Sequence, residues 1–333
     1  MAYTTIDDPT IYFNTKLYTG NGTAIGSGGN AITGVGFQPD WVWIKSRTQA
    51  EEHEAFDAVR GVTKYIRPST NAAEATDSES LTTFGTDGFT LGNHGQVNAN
   101  SQSFVSWNWK ETATAGFDIV SYTGTGSAKT VSHNLSVKPD VIICKSRSGA
   151  EEWRLYFSVL GATKAMRLNG TNAEDTDSGY WNNTEPTSSV FTVGTNAGTN
   201  GNGVTFIAYC LTEKKGYSKF GSYTGNGNAD GTFVYTGFKP AWLMIKQSSG
   251  AGNDWLMYDN KRDTSNVAST ILTANASATE ATGQSYNYID LLSNGFKLRG
   301  SDARNNGSGG TMIYMAFAES PFVNSNGVPN NGR

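Results

Sequence analysis

The side chains that do most chemistry at neutral pH are imidazole, thiol and carboxylate, and the chain is sparing with the first two. It has three histidines, His53, His94 and His133, and two cysteines, Cys144 and Cys210. No GxSxG, HExxH, CxxC or GxxxxGK[ST] motif accompanies them. The run GNGTAIGSGG has the outline of a dinucleotide loop, but no helical pattern follows it and that reading is set aside. Both cysteines sit in apolar runs, DVIICKS and VTFIAYCL, where buried free thiols are expected rather than a disulfide framework.

Carboxylates are more numerous and partly repeated. Glu51-Glu52 recurs as Glu151-Glu152 and, altered, as Asn253-Asp254. A glycosidase needs two carboxyl groups facing each other at roughly 5–10 Å. Adjacent strand residues point to opposite faces, so neither pair makes such a site alone. The runs EATDSES (Glu74–Ser80) and AEDTDSG (Ala173–Gly179) gather acids in loops, where hard oxygens suit Ca²⁺. Their spacing is not that of an EF-hand, and local bonding to the backbone is the ordinary use of such residues. The expectation is therefore no catalytic residue, no enzyme and no cofactor, with loop-bound Ca²⁺ the one alternative left open.

Eight tryptophans and fifteen tyrosines could instead serve binding. Trp41, Trp107, Trp109 and Trp242 lie in strand-like runs and read as core. Trp153, Trp255 and Trp181 are the candidates for an exposed binding surface. Trp153 and Trp255 align with His53, which marks a position tolerant of polarity, as at a rim or between domains. Lys45, Lys145 and Lys246 recur 100 and 101 residues apart, and Glu111, Glu213 and Glu319 close the matching later runs. An ion pair between them at a rim is the structural reading and a ligand contact the functional one.

These positions recur because the chain repeats itself. YTGNG at Tyr18–Gly22 returns as YTGTG at Tyr122–Gly126 and as YTGNG at Tyr223–Gly227. Then come GFQPDWVWIKSR (Gly36–Arg47), SVKPDVIICKSR (Ser136–Arg147) and GFKPAWLMIKQS (Gly237–Ser248). FVSWNWKE (Phe104–Glu111), FIAYCLTE (Phe206–Glu213) and MIYMAFAE (Met312–Glu319) close the units. A period near one hundred residues is too long for a solenoid unit and fits a small β-sandwich. The short apolar strands, separated by Gly- and Asn-rich turns, point the same way. FVSWNW alternates, with Phe104, Ser106 and Asn108 on one side and Val105, Trp107 and Trp109 on the other. The expected fold is all-β, three tandem β-sandwich domains of jelly-roll or immunoglobulin-like size. Their bounds are 1–113 with an N-terminal arm, 114–215 and 216–320, with a C-terminal tail over 321–333. Short joints near 111–116 and 213–216 predict close packing between neighbours.

Charge narrows the partners. The net charge is −4, with no basic run longer than two residues, which excludes a phosphate-neutralising face for nucleic acid. No stretch reaches the roughly 20 apolar residues of a membrane helix, so no membrane insertion is expected. The segment MAYTTIDDPTIYF has neither the charged nor the apolar region of a signal peptide, so synthesis in the cytoplasm is expected.

In the residues already quoted, together with Ala2–Phe13, Asp57–Gly61 and Gly88–Gly92, the chain resembles a β-rich repeat domain of virion proteins from marine tailed bacteriophages. The ending MAFAESPFVNSNGVP (Met315–Pro329) is similar to the closing segment of such proteins. The resemblance implies a virion structural protein, a tail fibre or receptor-binding appendage, with capsid decoration or a head fibre as the alternative. A polysaccharide depolymerase is a third reading, disfavoured because acids are spread over all repeats. Implied partners are other virion proteins, a host surface polysaccharide and further copies of the chain as a homotrimer. Three repeats within one chain could instead supply pseudo-threefold symmetry by themselves. Localisation in the virion would follow release by host lysis, and the resemblance carries over no catalytic residue.

Overall fold

Alternating apolar and polar residues between Gly- and Asn-rich turns should give short antiparallel strands, and they do. A computed structural model of the chain describes residues 3–331. Residues 1, 2, 332 and 333, at the ends of the expected arm and tail, lie outside the described residues. The protein is all-β, and each of its four α-helices among the described residues is a single turn.

The strands sort into three sets with the same pairing. In the first, Phe13–Thr19, Ser103–Trp109, Trp41–Ser46 and Glu54–Asp57 lie side by side. A smaller sheet joins Asn30–Thr33, Gly88–Leu91 and Leu81–Gly85. In every set the first strand runs antiparallel to the last, so Phe13 faces Trp109, Phe117 faces Leu211 and Ser218 faces Phe317. The last strand pairs in turn with the central one that follows the repeated proline.

Each central strand is apolar on both faces because each face meets a different core. In the first set Val42, Ile44 and Phe104 join Phe89 and Leu91 between the large and small sheets, as in a β-sandwich. Equivalent clusters lie between the sheets of the second and third sets. Trp41, Trp43, Val105, Trp107 and Trp109 point the other way, into a larger cluster built from all three sets. There the Trp41 ring lies 4.4 Å from those of Trp109 and Tyr209, and Phe13 stacks on Phe317 at 5.2 Å. The largest core thus belongs to the assembly of repeats and not to any one of them.

Three equivalent hydrogen bonds close this assembly into a ring. The Glu74 amide donates to the Arg147 carbonyl (2.8 Å), Glu174 to Ser248 (2.8 Å) and Glu280 to Arg47 (2.9 Å). The first joins repeat one to two, the second two to three, and the third returns from three to one. At two of these seams the arginine also forks onto the glutamate. Arg147 reaches Glu74 at 2.9 and 3.0 Å, and Arg47 reaches Glu280 at 2.8 and 2.7 Å. Ser248 stands at the third seam, and Glu174 pairs there with Lys164 at 3.0 Å.

The seams differ in their buried polarity as well. Asp57 is ion-paired with Arg60 and accepts from the Tyr209 hydroxyl of the next repeat at 2.7 Å. Asp259 is paired with Arg262 and accepts from the Trp107 indole at 3.1 Å. In repeat two the corresponding residues are Phe157 and Leu160, both packed in the shared core.

The thrice-written Tyr-Thr-Gly phrase is a turn held by one asparagine per repeat. Asn98, Asn200 and Asn306 are fully buried. Their side-chain oxygens accept from the amides of Asn21, Thr125 and Asn226 at 2.9, 2.8 and 3.0 Å. The preceding glycines pass so close to the opposite chain that a Cβ on Gly20, Gly124 or Gly225 would lie 2.1 to 2.4 Å from a carbonyl oxygen.

Candidate functional site

Each large side chain singled out from the sequence has a definite place, and none is on the surface. Trp153, Trp181 and Trp255 are 0, 1 and 0% exposed, which corrects their reading as a binding surface. Trp153 crosses a seam, its indole N–H donating to the Arg67 carbonyl of repeat one at 3.0 Å. Trp255 does the same to Arg167 of repeat two at 2.9 Å. His53 completes the cycle with its Nε2 3.0 Å from the Thr273 carbonyl of repeat three. The tolerance of polarity at this position reflects one carbonyl waiting across each seam. A flat ring with an N–H at its edge fills the gap and satisfies that carbonyl. Burial pushes the His53 pKa down to about 3, so the ring is neutral there. Trp181 ends the single-turn helix Ser178–Trp181 and packs edge-on against Tyr156, 6.0 Å away, inside its own repeat.

The repeated lysines and glutamates do not pair with each other. Register explains this: Lys45 faces Val105 while Trp41 faces Trp109, so Glu111 lies beyond the opposite end of the ladder. Lys45 is buried and donates to the carbonyls of Ser46 and Gln49 at 2.7 and 3.1 Å. Lys145 donates to Ser146 and, across a seam, to Asn71 at 2.8 and 3.2 Å. Lys246 donates to Gln247 at 2.6 Å. Burial lowers all three to about 8. Glu111 and Glu213 accept from the amides of Ile119 and Phe220, tying each repeat to the first strand of the next.

The remaining reactive groups are also engaged. Burial pushes the Cys144 thiol up to about 12 and raises that of Cys210. His94 Nδ1 lies 2.7 Å from Asp77 and its Nε2 3.1 Å from Glu54. Burial opposes protonation of this ring, but the hydrogen bonds and charge of the two carboxylates outweigh it and raise its pKa above the ordinary value. Both of its ring nitrogens face carboxylates of the same repeat. In the acidic loops, Asp77 pairs with His94, Asp175 accepts from Tyr180, and Asp177 caps the Ser178–Trp181 helix. Among the described residues no group of three or more His, Cys, Asp or Glu is placed to hold a metal ion.

What stands out on the surface is one face of repeat three. Along Phe233–Tyr235 the side chains alternate, with Val234 inward and Phe233 and Tyr235 outward, 45 and 52% exposed. The equivalent outward residues are Ala31 and Thr33 in repeat one, and Thr130 and Ser132 in repeat two. Register shows the equivalence, because Ile32, Val131 and Val234 face Phe89, Phe191 and Phe296. Beside Tyr235 lies a pocket of about 550 Å³, lined by Tyr3, Glu213, Lys215 and Lys219 among others. The Tyr3 hydroxyl is 3.0 Å from that of Tyr235 and donates to the Gly237 carbonyl at 2.9 Å. The Lys215 ammonium sits 4.4 Å over the Tyr3 ring, and Lys219 pairs with Glu213 at 2.8 Å. The sequence signal was the aromatic pair within GTFVYTG, visible only once the repeats are compared at single-residue register.

This aromatic face, with phenolic and charged groups at its edge, can stack flat rings and hydrogen-bond their rims. The chain belongs to the family described as a domain of unknown function (DUF7483), whose model matches residues 8–321. That match runs from the start of the first repeat to the last strand of the third. No curated protein and no solved structure matches the chain.

Proposed function

We propose that the chain is a virion structural protein that works by binding, an attachment component of a tailed phage. Repeat three would meet a host surface polysaccharide, and the ring would serve as its rigid mount. The observation that carries this reading is the outward pair Phe233 and Tyr235, present in one repeat where its two counterparts show Ala, Thr and Ser. Leaving two large aromatics in water has a cost that a bound partner recovers, at roughly 25 cal/mol for each Å² of apolar surface covered. The polar rim of Tyr3, Lys215 and Glu213 suits a hydroxylated ligand better than a purely apolar one. A body built of three similar repeats also fits a threefold position on a particle.

Two measurements test the reading. Reconstruction of purified particles from the phage that encodes the chain is expected to place it on the tail. Finding it on the capsid lattice would overturn attachment, and finding none in the particle would overturn the virion reading. Binding of the isolated protein to host envelope polysaccharide should be lost in the double variant Phe233→Ala/Tyr235→Ala without a change in melting temperature.

A further inference from the structure

We propose that Arg154 and Arg167 form a binding site for an oxyanion, a carboxylate or sulfate group, in the pocket of repeat two. The inference does not depend on where the chain acts. Arg154 directly faces Arg167 across the antiparallel strands Arg154–Phe157 and Lys164–Arg167. In repeat one the same positions hold Glu54 and Arg67, an opposite-charge pair at 3.3 Å. In repeat three they hold Leu256 and Thr273. Only repeat two sets two like charges opposite each other, an arrangement that destabilises a sheet unless something negative lies between.

Nothing in the protein fills that role closely. The Arg154 side chain is nine-tenths buried, and its guanidinium stacks over Tyr180 at 4.4 Å. Among the described residues neither guanidinium donates a hydrogen bond, and both Nε atoms are buried without a partner. The nearest carboxylates to their Nη1 atoms are Asp175 at 3.8 Å and Glu152 at 3.6 Å. Both are held by other donors, Asp175 by the Tyr180 hydroxyl at 2.7 Å and Glu152 by the Asn169 amide. The third carboxylate nearby, Glu174, pairs with Lys164.

The two arginines border a pocket of about 300 Å³, shared with Asn172, Glu174 and Asp175. A guanidinium presents five donors in a planar fork that matches a carboxylate or sulfate. Two such forks facing one space suit a ligand with several acceptor oxygens on one centre. The volume is at the small end for ligand pockets, enough for an inorganic anion or one acidic sugar residue. Asn172 and Glu174 at the rim could then take hydroxyl groups of a uronate.

The test uses the full chain and three probes: sodium glucuronate, sodium sulfate and glucose, each at ionic strength matched with sodium chloride. Calorimetric titration is expected to give saturable binding of glucuronate or sulfate, with a dissociation constant of about 1 mM or tighter, and none of glucose. Glucuronate at least tenfold tighter than sulfate assigns the site to a sugar-borne carboxylate, and the reverse assigns it to a free anion. Arg154→Glu recreates the Glu–Arg pair of repeat one, so it should fold and melt no lower than the parent while losing anion binding. Arg167→Gln should weaken binding at least tenfold. Failure of both anions to saturate, equal binding of glucose, or undiminished binding by Arg154→Glu overturns the proposal.

Discussion

The indole N–H of Trp153 donates to the carbonyl of Arg67, a residue of the preceding repeat, at 3.0 Å. One side chain therefore fills a seam and satisfies a backbone acceptor that belongs to another unit. Truncating it opens a cavity and leaves that carbonyl unpaired. Trp153→Ala should lower unfolding free energy by about 3–5 kcal/mol, the range for large buried aromatics. Because the main cluster spans all three repeats, parent and variant should each unfold in one transition, seen together by calorimetry and tryptophan fluorescence. Three separable transitions would contradict a shared core.

The latches at two seams should be worth more than their counterpart at the third. Arg147→Ala leaves Glu74 without its forked partner, and Arg47→Ala does the same to Glu280. Hydrogen bonds to charged groups contribute about 1.5–3 kcal/mol, and a loss of that order is expected from each by urea unfolding. Ser248→Ala removes only a hydroxyl 3.3 Å from the Thr311 carbonyl and should cost less than about 1 kcal/mol.

Buried lysines predict an uncommon pH response. Lys45, Lys145 and Lys246 are held at about 8 in the folded chain against an ordinary 10.5. Above pH 8 the unfolded chain therefore keeps protons that the folded chain has released, and stability rises with pH. The raised thiols of Cys144 and Cys210 oppose this above their ordinary value of 9. Urea midpoints should accordingly climb between pH 8 and 9, and the climb should be shallower in Lys145→Met.

The histidines should separate in an NMR titration. His53, lowered to about 3 by burial, should stay neutral through mild acid, while His94 should titrate above its ordinary 6.5. The signs of their contributions are opposite. Unfolded His53 takes up a proton below pH 6.5 that the folded ring refuses, so its share of stability is lost as pH falls from there toward 3. The His94 contribution is complete below 6.5 and is lost as pH rises through its raised value. In Glu54→Gln the His94 value should move down.

Asn200 holds its turn through the Thr125 amide and two carbonyls, Ser127 at 2.7 Å and Gly194. Asn200→Ala should cost about 1–3 kcal/mol by leaving buried groups unpaired. Gly124→Ala should also destabilise, because its Cβ would lie 2.2 Å from the Gly201 carbonyl oxygen. Thermal melts of the two variants check both.

Much of the local structure was legible because two periods coincide in the sequence. Alternation every second residue marks FVSWNW as a strand, and the recurrence of its neighbours marks the repeat. Alternation shows that a strand has two apolar faces but does not say what covers each. For that reason Trp153 and Trp255 read as surface, although they seal seams between units distant in sequence. The lysine and glutamate rows failed for a related reason, since pairing them required the register that puts Lys45 opposite Val105. Arg154 and Arg167 are thirteen positions apart, and only the turn between their strands brings them face to face. Phe233 and Tyr235 were present in the string, but their exposure depends on which of two alternating sets turns inward.

A symmetric trimer of identical chains writes every substitution three times, so no flank can change without the others. Linking the three units in one chain removes that constraint, and the seam occupied by Phe157, Leu160 and Ser248 shows how far one junction has departed from its siblings. The same freedom sets valency. Among the described residues each ring carries one aromatic face and one facing pair of arginines, so under the proposed attachment role avidity would come from the number of rings displayed and not from the number of repeats within each.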